Sequence, residues 1–296
     1  MSRLVFGTGG RFGRLSRSLA QSLVDHAWER GIRIFDTGMS YCHGRSQSLL
    51  LECLSDRISH PSCLISTKIP ADPLYIPYYL DLCRSAFALA SLDLIFLWGP
   101  TFEELNNQDL ALFLKHITSS GIVRRLGVNT HDLRLMRDLD QTACFPYVSD
   151  LMIDFSLAQP DRSPVILKYS SLGVKVWAGT SLAQGFLLES PFERYIRTRS
   201  ISYLLRYLFN APTRQLSSSA SPIRRYLRRT DPASARSLPL AYVLNHPSIS
   251  YVPIGMLSKN SIDHNISIED RISSYSSSLD QLNHSLPSLL GSLSYG

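Results

Sequence analysis

Early in the chain, three side chains have the chemistry to hold and move a proton: an acid, a phenol and an amine. Asp36 follows the short apolar strand of the stretch Gly31–Tyr41, Gly-Ile-Arg-Ile-Phe-Asp-Thr-Gly-Met-Ser-Tyr, and Tyr41 comes five residues later on a loop before Gly44. Lys68 sits at the C-terminal end of the apolar strand Cys63–Ile69, just ahead of Pro70. Lysine is seldom buried without a partner. Lys68 therefore either snorkels to solvent or meets the Asp36 carboxylate on the neighbouring strand. Asp36 and Tyr41 likewise have two readings. They face one pocket at a strand's C-terminal end, where α/β proteins build their sites, or Asp36 caps a turn and Tyr41 packs an edge.

The elements that must position them alternate. Strands are predicted at Arg3–Phe6, Ile32–Phe35, Cys63–Ile69, Leu92–Trp98, Val123–Val128, within Tyr147–Leu157, at Val174–Ala178 and at Ile249–Pro253. Helical spacing falls between them, at Ser18–Arg30, at Ser46–Ile58 with Ser46 as N-cap, and at Tyr78–Ala90, Gln108–Ser119, Asp132–Leu139, Pro164–Ser171, Pro232–Asn245 and Ser258–Asn265. Such alternation demands a parallel sheet with covering helices. Eight units in roughly 250 residues is the arithmetic of a (β/α)8 TIM barrel. A doubly wound sheet is the competitor, but it opens on a Gly-rich phosphate loop, and Gly7-Thr8-Gly9-Gly10 is not that fingerprint. In a barrel, the strand ends Asp36, Lys68, Trp98, Asn129 and Met152 fall on one rim.

Composition bounds the rest. The chain has 296 residues, 44% hydrophobic and 18% charged, the balance of a globular protein. No apolar run reaches the ~20 residues that span a bilayer, and the apolar part of the start is too short for a secretory signal. A cytoplasmic protein without membrane or nucleic-acid partners is expected. The five cysteines form no CxxC pair and no histidine has metal-ligand spacing, so neither disulfides nor a metal are expected. The net charge of +6 is unevenly placed, with arginines crowded between Arg194 and Arg236. Residues 187–230, Arg- and Ser-rich and partly helical around Ile201–Phe209, read as an insertion or lid on one barrel domain covering 1–296. The Ser-rich tail from Ser273, with Leu279, Leu282 and Leu286, either docks or frays.

Taken together, these segments resemble the aldo-keto reductase family. The matching text is Gly31–Thr37 with Tyr41 and Gly44; Ile65-Ser66-Thr67-Lys68; Asp93–Pro100; Gly121–Asn129; Ser181-Leu182-Ala183-Gln184-Gly185; and Pro253-Ile254-Gly255 through Asn265. The resemblance implies reduction of an aldehyde or ketone by hydride from NADPH. It implies Tyr41 as general acid, Lys68 as the ammonium that lowers the phenol's pKa, and Asp36 as the group that holds Lys68 charged and oriented. It also implies cofactor contacts from Asn129 and Thr130 after strand five, from Ser181, Leu182 and Gly185 after strand seven, and from Gly255, Lys259, Asn260 and Asn265 near the end.

The departures from the family pattern are as specific. Trp98 stands at the position of the family's histidine, where an indole donates one hydrogen bond, carries no proton and fills more of the pocket. Met152 replaces a glutamine, Gly179 replaces the aromatic that stacks on nicotinamide, and Leu257 replaces the basic residue that reads the adenosine phosphate. Lys259 or an arginine of the insertion would compensate for Leu257. Phe155 and Trp177 lie near Gly179 in sequence. The expected function is an NADP-dependent oxidoreductase acting on a small carbonyl compound as a monomer or weak oligomer. The alternative is a catalytically altered or inactive barrel acting as a binding or assembly protein. His43 reads as a loop histidine, His131 as a helix cap and Cys42 as inert packing.

Overall fold

The computed structural model describes residues 2–72, 74–87, 91–199 and 201–291. Eight strands close a barrel in sequence order: β1 (Leu4–Gly7), β2 (Ile34–Asp36), β3 (Leu64–Pro70), β4 (Leu92–Trp98), β5 (Val123–Thr130), β6 (Asp150–Asp154), β7 (Lys175–Gly179) and β8 (Ile249–Gly255), with β8 pairing back onto β1. The strand pairings are parallel, so the C-terminal ends of the strands share one rim.

Alternation along each strand decides what fills the barrel. Val5, Ile34, Leu94, Phe96, Met152 and Trp177 form a buried cluster, with Leu64 and Tyr251 packed against it. Phe96 meets Trp177 edge to face, with ring centroids 5.3 Å apart. Gly127 makes room for this pair, since a Cβ there would lie 2.4 Å from the Phe96 ring. An ion pair with a fully buried carboxylate joins the same interior. Asp150 receives the Arg125 Nε at 2.9 Å, a second bond from Arg125 Nη2, the Trp177 Nε1 at 2.7 Å and the Ser149 hydroxyl at 2.7 Å.

The α-helices are α1 (Arg17–Glu29), α2 (Arg45–Cys53), α3 (Ile76–Phe87), α4 (Phe102–Leu105), α5 (Gln108–Ser119), α6 (Leu133–Asp138), α7 (Ser163–Ser171), α8 (Pro191–Thr198), α9 (Ile201–Phe209), α10 (Ala211–Thr230), α11 (Leu238–Asn245), α12 (Lys259–Asp270) and α13 (Ser276–Leu290). The predicted end of the third helix at Ala90 lies outside the described residues. Several boundaries differ from the sequence reading. The cap of α2 is Gly44 in the left-handed region, not Ser46, because three successive left-handed residues bring the helix in early. Ser46 instead accepts the Gly13 amide at 3.1 Å. The cap of α6 is Asp132, whose carboxylate takes the Arg134 and Leu135 amides, and not His131. Helix α12 runs five residues past Asn265. The stretch 187–230, expected to be only partly helical, is almost entirely helical. The tail docks, with Leu279, Leu282 and Leu286 buried on one face of α13.

The chain packs as two compact units. Met1–Ile153, Pro164–Gly179 and Ser248–Ile266 form the first, which carries the strands, and Asp154–Ser163, Thr180–Pro247 and Ser267–Gly296 form the second, which carries α8 to α11 and α13.

Candidate active site

In the first unit, β2 and β3 carry the acid and the amine side by side. Their register pairs Asp36 with Ser66, two residues before Lys68 and therefore on the same face of β3. Asp36 and Lys68 are each only 4% exposed. The ammonium lies 2.5 and 2.6 Å from the two Asp36 oxygens and donates to the Thr37 carbonyl at 3.3 Å. Ser66 donates to Asp36 Oδ1 at 2.8 Å. Burial alone would pull the Lys68 pKa down. The adjacent Asp36 carboxylate overrides it, so the pKa is raised and the amine stays charged.

Tyr41 completes the group. The Lys68 Nζ sits 5.2 Å from its ring centroid and 5.9 Å from that of Phe96. Gly9 and Gly38 flank the phenol ring, and a Cβ at either would touch it at 3.6–3.7 Å. The loop that presents Tyr41 is unusual. Cys42, His43 and Gly44 take φ of 50°, 56° and 84°, a run of left-handed residues that only glycine adopts without strain. The Tyr41 amide donates to Gly38 O, and its carbonyl accepts from Ser46 N, which pins both ends of the residue. The sign of its titration differs from the expectation. Burial raises the phenol's pKa by more than the Lys68 charge lowers it, so the net shift is upward.

The remaining predicted residues spread along the rim. Trp98 ends β4, opposite Pro70 and Asn129, and is 45% exposed. The indole thus stands at the open mouth instead of filling an enclosed pocket, because the last residue of a barrel strand has no layer above it. Asn129 and Thr130 are buried at the end of β5. Asn129 Nδ2 donates to the Met152 carbonyl at 3.2 Å, and the Thr130 hydroxyl accepts the Asp132 amide at 3.0 Å. Met152, expected at the rim, instead lies in the middle of β6 and is buried in the core cluster, because the strand runs two residues beyond it. Gly179 ends β7, and a Cβ there would lie 3.3 Å from the Ile153 carbonyl. Trp177 does not stand in for the missing aromatic at the rim, since its indole is committed to Asp150 in the interior. Gly255 ends β8 with open space where a Cβ would be. Lys259 and Asn260 are exposed in the first turn of α12, whereas Asn265 is buried farther along it.

In the second unit, Phe155 stacks on Tyr242 with ring centroids 5.5 Å apart. Ser181 is buried, while Leu182 and Gly185 are half-buried, on a loop where Thr180, Ala183, Gln184 and Gly185 all have positive φ. Arg194 holds that loop. Its guanidinium bonds Glu189 at 2.6 Å and the Gln184 carbonyl at 2.8 Å, and a Cβ at Gly185 would collide with it.

Four of the cysteines are buried. Burial pushes the thiols of Cys53, Cys83 and Cys144 up to about 11 and that of Cys63 to about 12, which leaves them inert at neutral pH. Sequence reasoning missed Ser66, Thr37, Gly9 and Gly38. The signal for Ser66 was its place two residues before Lys68 on one strand face.

A model of the Aldo/keto reductase family matches residues 3–282. An uncharacterized oxidoreductase of Mycobacterium bovis is 24% identical over 269 residues, 90% of this chain and 80% of that protein. Two solved structures share the fold. One is an aldo/keto reductase from Klebsiella pneumoniae in complex with NADP and acetate, with TM-score 0.72, 17% identity, and 97% of this chain and 92% of that one covered. The other is an aldo-keto reductase from Bacillus halodurans in its holo form, with TM-score 0.70, 18% identity, and 96% and 92% covered. With a family match over nearly its whole length and a closed eight-stranded barrel that gathers acid, ammonium and phenol at one rim, this chain belongs to the aldo/keto reductase family.

Proposed function

We propose that this protein is an NADPH-dependent oxidoreductase that reduces the carbonyl of a small aldehyde or ketone, with Tyr41 as the general acid. The observation that carries the reading is the Lys68 ammonium, bound to both Asp36 oxygens and 5.2 Å from the Tyr41 ring centroid.

The residues present fit a nicotinamide nucleotide. Gly255 faces open space at the end of β8, α12 offers an N-terminus with Lys259 exposed in its first turn, and an amide and a hydroxyl end β5. Asn129 and Thr130 would hold the carboxamide, while Gly255, Lys259, Asn260 and Asn265 would hold the adenosine end. Ser181, Leu182 and Gly185 are assigned to the nucleotide by the family resemblance alone. The chemistry such a nucleotide supplies when bound is a hydride.

This chain's own contribution is the proton. Tyr41 keeps its O–H at neutral pH, because burial has raised its pKa, and so stands as a donor to a developing alkoxide. Lys68 then stabilises the phenolate that proton loss creates, at a distance where its charge acts through little intervening water. Asp36, fixed by Ser66, keeps the ammonium charged and aimed. The alternative, a barrel without turnover, draws on Met152 and Gly179, which offer nicotinamide neither a strong hydrogen bond nor a ring.

Titration with NADPH followed by tryptophan fluorescence separates the two readings. Saturable quenching, together with NADPH oxidation on adding a small aldehyde, is the expected result. No binding at millimolar nucleotide overturns the enzymatic reading.

A further inference from the structure

The second unit carries a feature that hydride chemistry does not use. Helices α8 and α9 turn apolar side chains outward: Phe192 and Ile196 four apart on α8, then Ile201, Leu205, Leu208 and Phe209 at helical spacing on α9. All six are 43–82% exposed. Leu204 and Tyr207, which flank one edge of the stripe on α9, are half-buried, so the helix is anchored along that edge and presents the stripe. An exposed apolar stripe of this size marks an interaction surface.

The charge around it is one-sided. Residues 191–230 hold nine arginines and a single acid, Glu193, a surplus of eight positive charges. The whole chain totals +6, so the other 256 residues carry a net of minus two. Glu189 and Glu193 engage Arg194, Arg197 and Arg228, while Arg199, Arg214, Arg225 and Arg229 are exposed.

We propose that α8 and α9 form a docking surface for an anionic lipid bilayer, lying in its interface with the apolar stripe inserted and the arginines at the headgroups. A short amphipathic helix with a basic flank has the composition of an interfacial element. At nine residues, α9 extends about 14 Å and lies on a bilayer without crossing it. No helix among the described residues is long and apolar enough to span. Two other occupants fit less well. A second copy docking through the same patch would set one arginine-rich segment against another, because a two-fold interface is self-complementary. Nucleic acid would satisfy the arginines but leave four aliphatic side chains in water. The proposal departs from the sequence-based expectation of no membrane partner, which rested on the lack of a spanning run and of a secretory signal.

The test is flotation of the full-length protein with phosphatidylcholine vesicles, with and without added phosphatidylserine. The expected result is flotation with the anionic vesicles, weakened by raised salt and reduced at least about tenfold in the double variant Phe192→Ser, Phe209→Ser. Thermal unfolding of that variant should match the parent, since both side chains are exposed. No flotation with anionic vesicles at low salt overturns the proposal, as does flotation unchanged in the double variant. A concentration-dependent dimer abolished by the same substitutions, with vesicles ignored, assigns the patch to self-association. Binding to single-stranded RNA without lipid binding assigns it to nucleic acid. Either result overturns the proposal.

Discussion

Asp150 and Asp36 each hold a cation inside the barrel, yet their surroundings differ. Asp150 accepts from Arg125 twice, from Trp177 and from Ser149, so donors occupy both oxygens in pairs. Its cation is a planar guanidinium, fixed at two points, that also lies over the Tyr251 ring. Asp36 takes two contacts from a single ammonium and one from Ser66. That ammonium also faces a phenol across 5.2 Å. A saturated carboxylate with a forked partner locks a wall in place. A point charge held on one side and turned toward a titratable group can answer a change in that group's charge. The same pairing of acid and base therefore suits structure in the interior and, in the proposed mechanism, proton transfer at the rim.

The largest expected effect falls on the group that only the rim pair has. Tyr41→Phe should lower kcat for aldehyde reduction by at least about 100-fold while leaving NADPH affinity within about twofold. Parent-like turnover would remove Tyr41 as the acid. Next come the two acids. Asp36→Asn leaves a buried ammonium without its counter-charge, which costs about 3–5 kcal/mol of stability in denaturant titration, and Asp150→Asn, whose Arg125 partner is half-buried, costs less. Only Asp36→Asn should also lower kcat, and by less than Tyr41→Phe does. Equal kinetic losses in the two variants would break the comparison.

A smaller effect is the pH profile. Because burial raises the Tyr41 pKa, the acid form persists, and kcat for reduction should stay flat from about pH 6 to about pH 9. It should fall only as pH climbs past the ordinary phenol value near ~10. A decline near neutrality would mean that another group supplies the proton. Smallest is Trp98→His. Restoring an imidazole at the mouth adds one hydrogen bond to the substrate oxygen and should raise kcat/KM for small aldehydes by no more than about tenfold. An unchanged value would place residue 98 outside the substrate's reach.

Much of this was legible from residue order. The short apolar runs alternating with helical spacing required eight parallel strands, and the strand-end rule put Asp36, Lys68, Trp98 and Asn129 on one rim, though it misplaced Met152 there. Less legible were contacts set by register and by unusual backbone. Ser66 joins Asp36 only because β2 and β3 pair without a slip. Gly44 displaces Ser46 as the cap because Cys42 and His43 enter the left-handed region, which neither residue type announces. The Tyr41 shift went the other way from the expectation because desolvation depends on what encloses a ring, and spacing along a chain carries no such information.

The sequence by itself determined the closed parallel barrel, the strand-end placement of the acid and the ammonium on one rim, and the arginine-rich character of residues 187–230. These follow from periodicity and composition, which are local properties. The tertiary structure alone decided that Asp36 and Lys68 are almost sealed from water, that Trp177 serves Asp150 in the interior, and that α8 and α9 keep six apolar side chains in solvent. Burial and exposure are sums over neighbours brought from distant parts of the chain, and they exist only once the chain has closed.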